Sequence, residues 1–140
     1  MIYLVEDDDA TRKAIGLLLE CEALEACAFP SCDDLCQKTD PTSADCLILD
    51  VHMRGTTGLE LLERVRRNDR CPPVILMSGR VAGDILARAT AAGVFAVLEK
   101  PFSGTELIET IKRAIAGRPL PAGPASRGAA PDGGSGSNAT

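Results

Sequence analysis

The chain has 140 residues, enough for one domain with a real core and too few for two ordinary ones. Fifteen Lys and Arg stand against 20 Asp and Glu, a formal net charge of −5, which argues against a nucleic-acid surface because phosphate binding needs a basic face. The longest apolar runs are strand-sized, well under the ~18 residues of a membrane span, and Met1 leads almost directly into a strand and then acids, so neither a span nor a secretory leader is expected.

Strand and helix signals alternate from the first residue. Ile2-Tyr3-Leu4-Val5 reads as a buried strand that ends on Glu6-Asp7-Asp8. Ala14, Ile15, Leu17, Leu18 and Leu19 recur at helical spacing, with Arg12, Lys13 and Glu20 on the polar side and Asp8 or Asp9 as cap. Leu24 to Phe29 predicts a short edge-like strand stopped by Pro30. Ser31 with Asp33-Asp34 predicts a helix start, with Leu35 and Cys36 facing inward. A turn at Pro41–Ser43 precedes a central strand over Ala44–Asp50.

Gly55 and Gly58 bracket a loop, and Leu59–Arg67 is amphipathic with Leu61, Leu62 and Val65 inward. Pro72-Pro73 cannot continue that helix, since proline lacks the amide. Val74–Ser78 predicts a further buried strand, followed by an alanine-rich helix that ends near Gly93 in a left-handed cap. Val94–Glu99 is the last strand. Ser103 caps a final helix through Ala116, with Glu106 completing a capping box. Strictly alternating elements of this kind imply an α/β fold, a doubly wound parallel sheet of five strands with five helices.

From Gly117 the composition turns to Gly, Pro, Ala and Ser without hydrophobic period. Two regions are therefore expected: a folded domain over residues 1–116 and a flexible tail or linker over 117–140. Six cysteines (Cys21, Cys27, Cys32, Cys36, Cys46, Cys71) include no CxxC pair, and several sit in apolar runs. They are expected to be small buried residues in a reducing cytoplasm. Cys32 and Cys36 share a helix face, but two thiols make a weak zinc site.

The chemistry gathers at strand ends. In a parallel sheet, Glu6, Asp7 and Asp8 after the first strand and Asp50 after the central one open into the same crevice. Like charges there repel unless a cation joins them, and a hard divalent ion such as Mg²⁺ suits oxygen ligands. Lys100, after the last strand, would bring a second positive charge to the rim. Such a pocket suits phosphoryl chemistry.

Val5-Glu6-Asp7-Asp8, Leu49-Asp50-Val51-His52-Met53, Met77-Ser78-Gly79 and Glu99-Lys100-Pro101-Phe102, taken in this order, resemble the receiver domain of two-component response regulators over about Ile2–Ala116. The resemblance implies strand order 2-1-3-4-5. It implies Asp50 as phosphoacceptor for a phosphoryl group from the phosphohistidine of a sensor histidine kinase or phosphotransfer protein. It implies Mg²⁺, or Mn²⁺ in its place, held by Asp7, Asp50 and the His52 backbone carbonyl, with Glu6 acting through water. Ser78 and Lys100 would bind phosphoryl oxygens, and the Lys100-Pro101 bond would be cis. The implied role is signalling, not metabolic catalysis, with only self-catalysed phosphotransfer and dephosphorylation. The output, to a partner, an attached domain or a second copy of the chain, would use the 83–116 face.

Two departures from the family pattern stand out. Its usual switch aromatic, three residues before the lysine, is Val97 here; Phe95, two residues earlier, should point to the same side of the sheet. Arg54 stands where many members have proline, which places a cation near the phosphoacceptor. Other functions fit less well. A haloacid-dehalogenase-type phosphatase needs a second acid two residues after its nucleophile, where this chain has His52. Neither G-x-G-x-x-G nor G-x-x-x-x-G-K-[ST] occurs, which disfavours a nucleotide site. A degenerate receiver serving only for interaction would not need the full site. The wider alternative is the receiver half of a transcription regulator whose helix-turn-helix domain lies outside this chain.

Overall fold

Strands buried on both faces need helices on both sides, and the chain supplies them in alternation. A computed structural model describes residues 1–53 and 55–117. Its elements are β1 (Ile2–Val5), α1 (Asp9–Cys21), β2 (Ala26–Phe29), α2 (Cys32–Lys38), a 3₁₀ turn (Pro41–Ser43), β3 (Cys46–Asp50), α3 (Gly58–Val65), β4 (Val74–Ser78), α4 (Gly83–Ala91), β5 (Ala96–Glu99) and α5 (Gly104–Ala116). The sheet is parallel throughout, with order β2-β1-β3-β4-β5 as expected. Expectations for Arg54 and for residues 118–140 lie outside the described residues.

Strand alternation divides the core in two. Leu47 and Leu49 of β3 and Val74 and Leu76 of β4 pack with Leu35 of α2, Leu61, Leu62 and Val65 of α3 and Ala89 of α4. Cys46, Ile48, Ile75 and Met77 face the other way, onto Ile15 and Leu19 of α1 and Leu107, Ile108 and Ile111 of α5.

Helix ends follow the local chemistry. Asp8 caps α1 by accepting the Thr11 amide, and this hydroxyl and amide pair holds its carboxyl below the usual range. Ser31 caps α2 and Ser103 caps α5. The full reciprocal capping box forms at Thr57 and Glu60 on α3, whereas Ser103 accepts the Glu106 amide. Gly93 adopts φ +79° after α4, where a Cβ would also stand 2.8 Å from the Arg66 guanidinium.

Three expectations need correction. On α1 only Ile15 and Leu19 are buried; Leu17 is 61% exposed and Ala14 is exposed, because residue 17 lies about 200° around the helix from residue 15. The cysteines are not uniformly buried. Cys32 and Cys46 are, and burial pushes both thiols up to about 12, but Cys21 and Cys27 are exposed at a helix end and on an edge strand. The last strand begins at Ala96 and not Val94, so Phe95 sits in a bend before β5 and is 40% exposed, while Val97 packs against the first core.

Candidate functional site

β1 and β3 are neighbours in register, Val5 beside Leu49, so the residues that follow them emerge side by side at the carboxyl edge of the sheet. Glu6, Asp7 and Asp50 come together there, with one oxygen from each lying within 4.8 Å of the others. Glu6 and Asp50 are buried and Asp7 is exposed. An open recess of about 500 Å³, bordered by Asp7, Asp8, Pro30 and Ser31, adjoins the exposed carboxylate.

Lys100 reaches this cluster from the end of β5. Its Nζ donates to Glu6 Oε1 and Asp50 Oδ2, each at 2.8 Å. The Lys100-Pro101 peptide bond is cis. Burial opposes the ammonium charge, but the bonds to Asp50 and Glu6 outweigh it and hold the lysine above its usual 10.5. Burial raises the Glu6 carboxyl above its usual 4.5. Lys100 and the Asp8 amide, which donates to Glu6 Oε2 at 3.0 Å, reduce that rise, and the Asp50 charge adds to it.

Asp50 has a backbone partner as well. The His52 amide donates to Asp50 Oδ1 at 2.9 Å. Ser78 ends β4 fully buried, and Oγ lies 3.2 Å from His52 Nε2, 2.7 Å from the Arg80 carbonyl oxygen and 3.1 Å from the Arg80 nitrogen. The Lys100 amide donates to the Ser78 carbonyl at 2.7 Å, tying the ends of β4 and β5. All six residues singled out from the sequence thus lie around one carboxyl-edge crevice: Glu6, Asp7, Asp50, His52, Ser78 and Lys100. Two buried carboxylates and one exposed one, with a lysine beside them, match what a hard divalent cation and a phosphoryl group require.

Two supporting residues escape sequence reading. A Cβ on Gly58 would lie 2.3 Å from the Asp50 carbonyl oxygen, so α3 can begin this close to Asp50 only with glycine. The Arg12 guanidinium donates to the Glu6 carbonyl at 2.9 Å and pairs with Asp9, fixing the backbone of the acidic turn. Gly58 read only as a loop boundary and Arg12 as a polar-face charge; no local signal reports which backbone each approaches.

Residues 2–112 match the family model for the response regulator receiver domain. The chain is 32% identical over 111 residues to nodulation protein W of Bradyrhizobium diazoefficiens, an alignment covering 79% of this chain and 49% of that protein. It is 31% identical over 114 residues to transcriptional regulatory protein FixJ of Azorhizobium caulinodans, covering 81% and 54%. A solved DNA-binding response regulator of the LuxR family from Staphylococcus aureus superposes with TM-score 0.75 at 27% identity, covering 81% of this chain and 97% of that one. The chain spans about half the length of the curated relatives it matches. Among the described residues no helix is long and apolar enough to cross a membrane.

Proposed function

The chain belongs to the response regulator receiver domain family, and from that premise we propose that it takes a phosphoryl group onto Asp50 and relays the event through a change of shape. The observation that carries this reading is the convergence of Asp7, Asp50 and Lys100, from three separate strand ends, within one small volume. Asp50 is the carboxylate nucleophile, and the phosphohistidine of a sensor kinase or phosphotransfer protein is the donor. Asp7, Asp50 and the His52 carbonyl hold Mg²⁺, or Mn²⁺, with Glu6 acting through water. The bound ion supplies positive charge that lets an anion approach an acidic pocket.

Lys100 already bridges Asp50 and Glu6, so its cation is in place to pair with an incoming phosphoryl oxygen. Ser78 supplies a hydroxyl donor from the neighbouring strand. The His52 amide holds one Asp50 oxygen and so orients the carboxylate. Residues 1–116 form the receiver, which works in the cytoplasm, and 117–140 form a tail or linker. The output surface is the 83–116 face, supported by Leu86 (46% exposed) and Phe95, the large apolar side chains exposed there among the described residues. With Val97 at the usual aromatic position, the signal runs through Ser78 and the helix after it.

Incubation with acetyl phosphate or phosphoramidate, with and without Mg²⁺, followed by intact mass, tests the central claim. One phosphate should be gained only with Mg²⁺ and lost in Asp50→Asn. Mg²⁺-independent uptake, or uptake that survives Asp50→Asn, would refute it. The relatives' names favour a wider reading, in which this receiver is half of a transcription regulator with a separate DNA-binding domain. The length of the whole reading frame decides that point.

A further inference from the structure

We propose that the His52 side chain is a positioning residue that holds the Ser78 hydroxyl in a withdrawn arrangement, and so sets how readily Ser78 turns toward a phosphoryl group on Asp50. The inference rests on the phosphoacceptor reading above. Its basis is the hydrogen-bond inventory of one buried oxygen. A hydroxyl has a single proton to give and two lone pairs to fill. The Arg80 carbonyl, 2.7 Å from Ser78 Oγ, can only accept, so it takes that proton. The Arg80 amide at 3.1 Å fills one lone pair. His52 Nε2 at 3.2 Å then has one role left, as an N–H donor to the second.

Ser78 is thereby saturated. It has nothing to donate to a phosphoryl oxygen until its hydroxyl proton turns away from the Arg80 carbonyl. His52 bears on both reacting partners, its amide on the Asp50 carboxylate and its imidazole on the Ser78 hydroxyl. Only Val51 separates the nucleophile from His52 along the chain, which keeps the reach short. Removing the imidazole leaves Asp50, its amide partner and Lys100 in place and withdraws one of three bonds that favour the turned-away hydroxyl.

A neutral hydrogen bond of this kind contributes enough to shift such an equilibrium about two- to tenfold. The full chain with Mg²⁺ and beryllofluoride, an acyl-phosphate mimic, should therefore bind the mimic about two- to tenfold more tightly in His52→Ala, measured by calorimetry. His52→Gln, whose amide can donate from a similar reach, should restore the wild-type affinity. In a Ser78→Ala background the His52→Ala change should have no effect, since the coupled partner is gone. In the metal-free protein, ring nitrogen shifts should report a proton on Nε2 whose resonance moves in Ser78→Ala.

Unchanged affinity in His52→Ala, or an equal change with and without Ser78, would overturn the proposal while leaving phosphate acceptance intact. A wild-type chain that neither binds beryllofluoride nor gains phosphate would overturn the phosphoacceptor reading, and this inference with it.

Discussion

Gly58 shows how one hydrogen in place of a methyl can support a reactive group. The Asp50 carbonyl and the Leu49 side chain occupy the space a Cβ would take, at 2.3 and 3.0 Å. Gly58→Ala must push α3 away from the end of β3, and overpacking of this kind costs about 1–3 kcal/mol. Urea unfolding should show that loss, and phosphate uptake at Asp50 should slow with it. A variant as stable as wild type, with unaltered uptake, would mean the strand end yields freely. The contrast with Asp7, Asp50 and Lys100 is physical. A charge that closes an apolar strand stands out in one dimension, because burial and charge oppose each other. A glycine whose neighbour is eight residues away in sequence and in van der Waals contact in space does not.

At the level of elements, α4 is the least anchored of the helices flanking the site. Of its nine residues only Ala89 is buried, and its start at Ala82 has no side-chain cap, whereas α1, α2, α3 and α5 each have one. Ala82 already has the extended backbone of a capping residue, φ −84° and ψ 158°. Ala82→Ser should therefore add about 1 kcal/mol of stability, read from the urea midpoint. No gain would show that the α4 terminus is satisfied in another way.

Every helix and strand was readable from periodicity and caps; their lengths were less so. The strands expected from Leu24, Ala44 and Val94 begin two residues later, at Ala26, Cys46 and Ala96. Their neighbours set these limits: Ile2, the first residue of β1, pairs with Ala26 and Cys46, and Ile75 pairs with Ala96. Register belongs to a pair of strands, so one strand's own residues do not carry it.

Over the whole molecule, the site and its stability are linked through protons and metal. Glu6 is raised above 4.5, so the stabilisation it lends is complete below that pH and is lost as pH rises through its folded value. Lys100 is also raised, so its contribution persists through neutrality and is lost only on rising past 10.5. Asp8 is lowered, so its cap acts above 3.8 and fails as pH falls through its folded value. Thermal unfolding of the metal-free protein should accordingly show a downward slope above pH 4.5 that Glu6→Gln removes. Added Mg²⁺ should offset that slope by mass action, raising stability by about 2.7 kcal/mol at a hundred times its Kd. A slope that survives Glu6→Gln would assign it to other groups.

The backbone bond from Lys100 to Ser78 has a mechanical consequence. With the Ser78 carbonyl pinned by β5 and the Met77 carbonyl by the Val51 amide, the end of β4 is held from both sides. Gly79, the next residue, has no neighbouring atom within 4 Å of where a side chain would begin. Beyond that glycine the chain is tied back at once, because the Arg80 carbonyl accepts from Ser78 Oγ and the Arg80 amide donates to it.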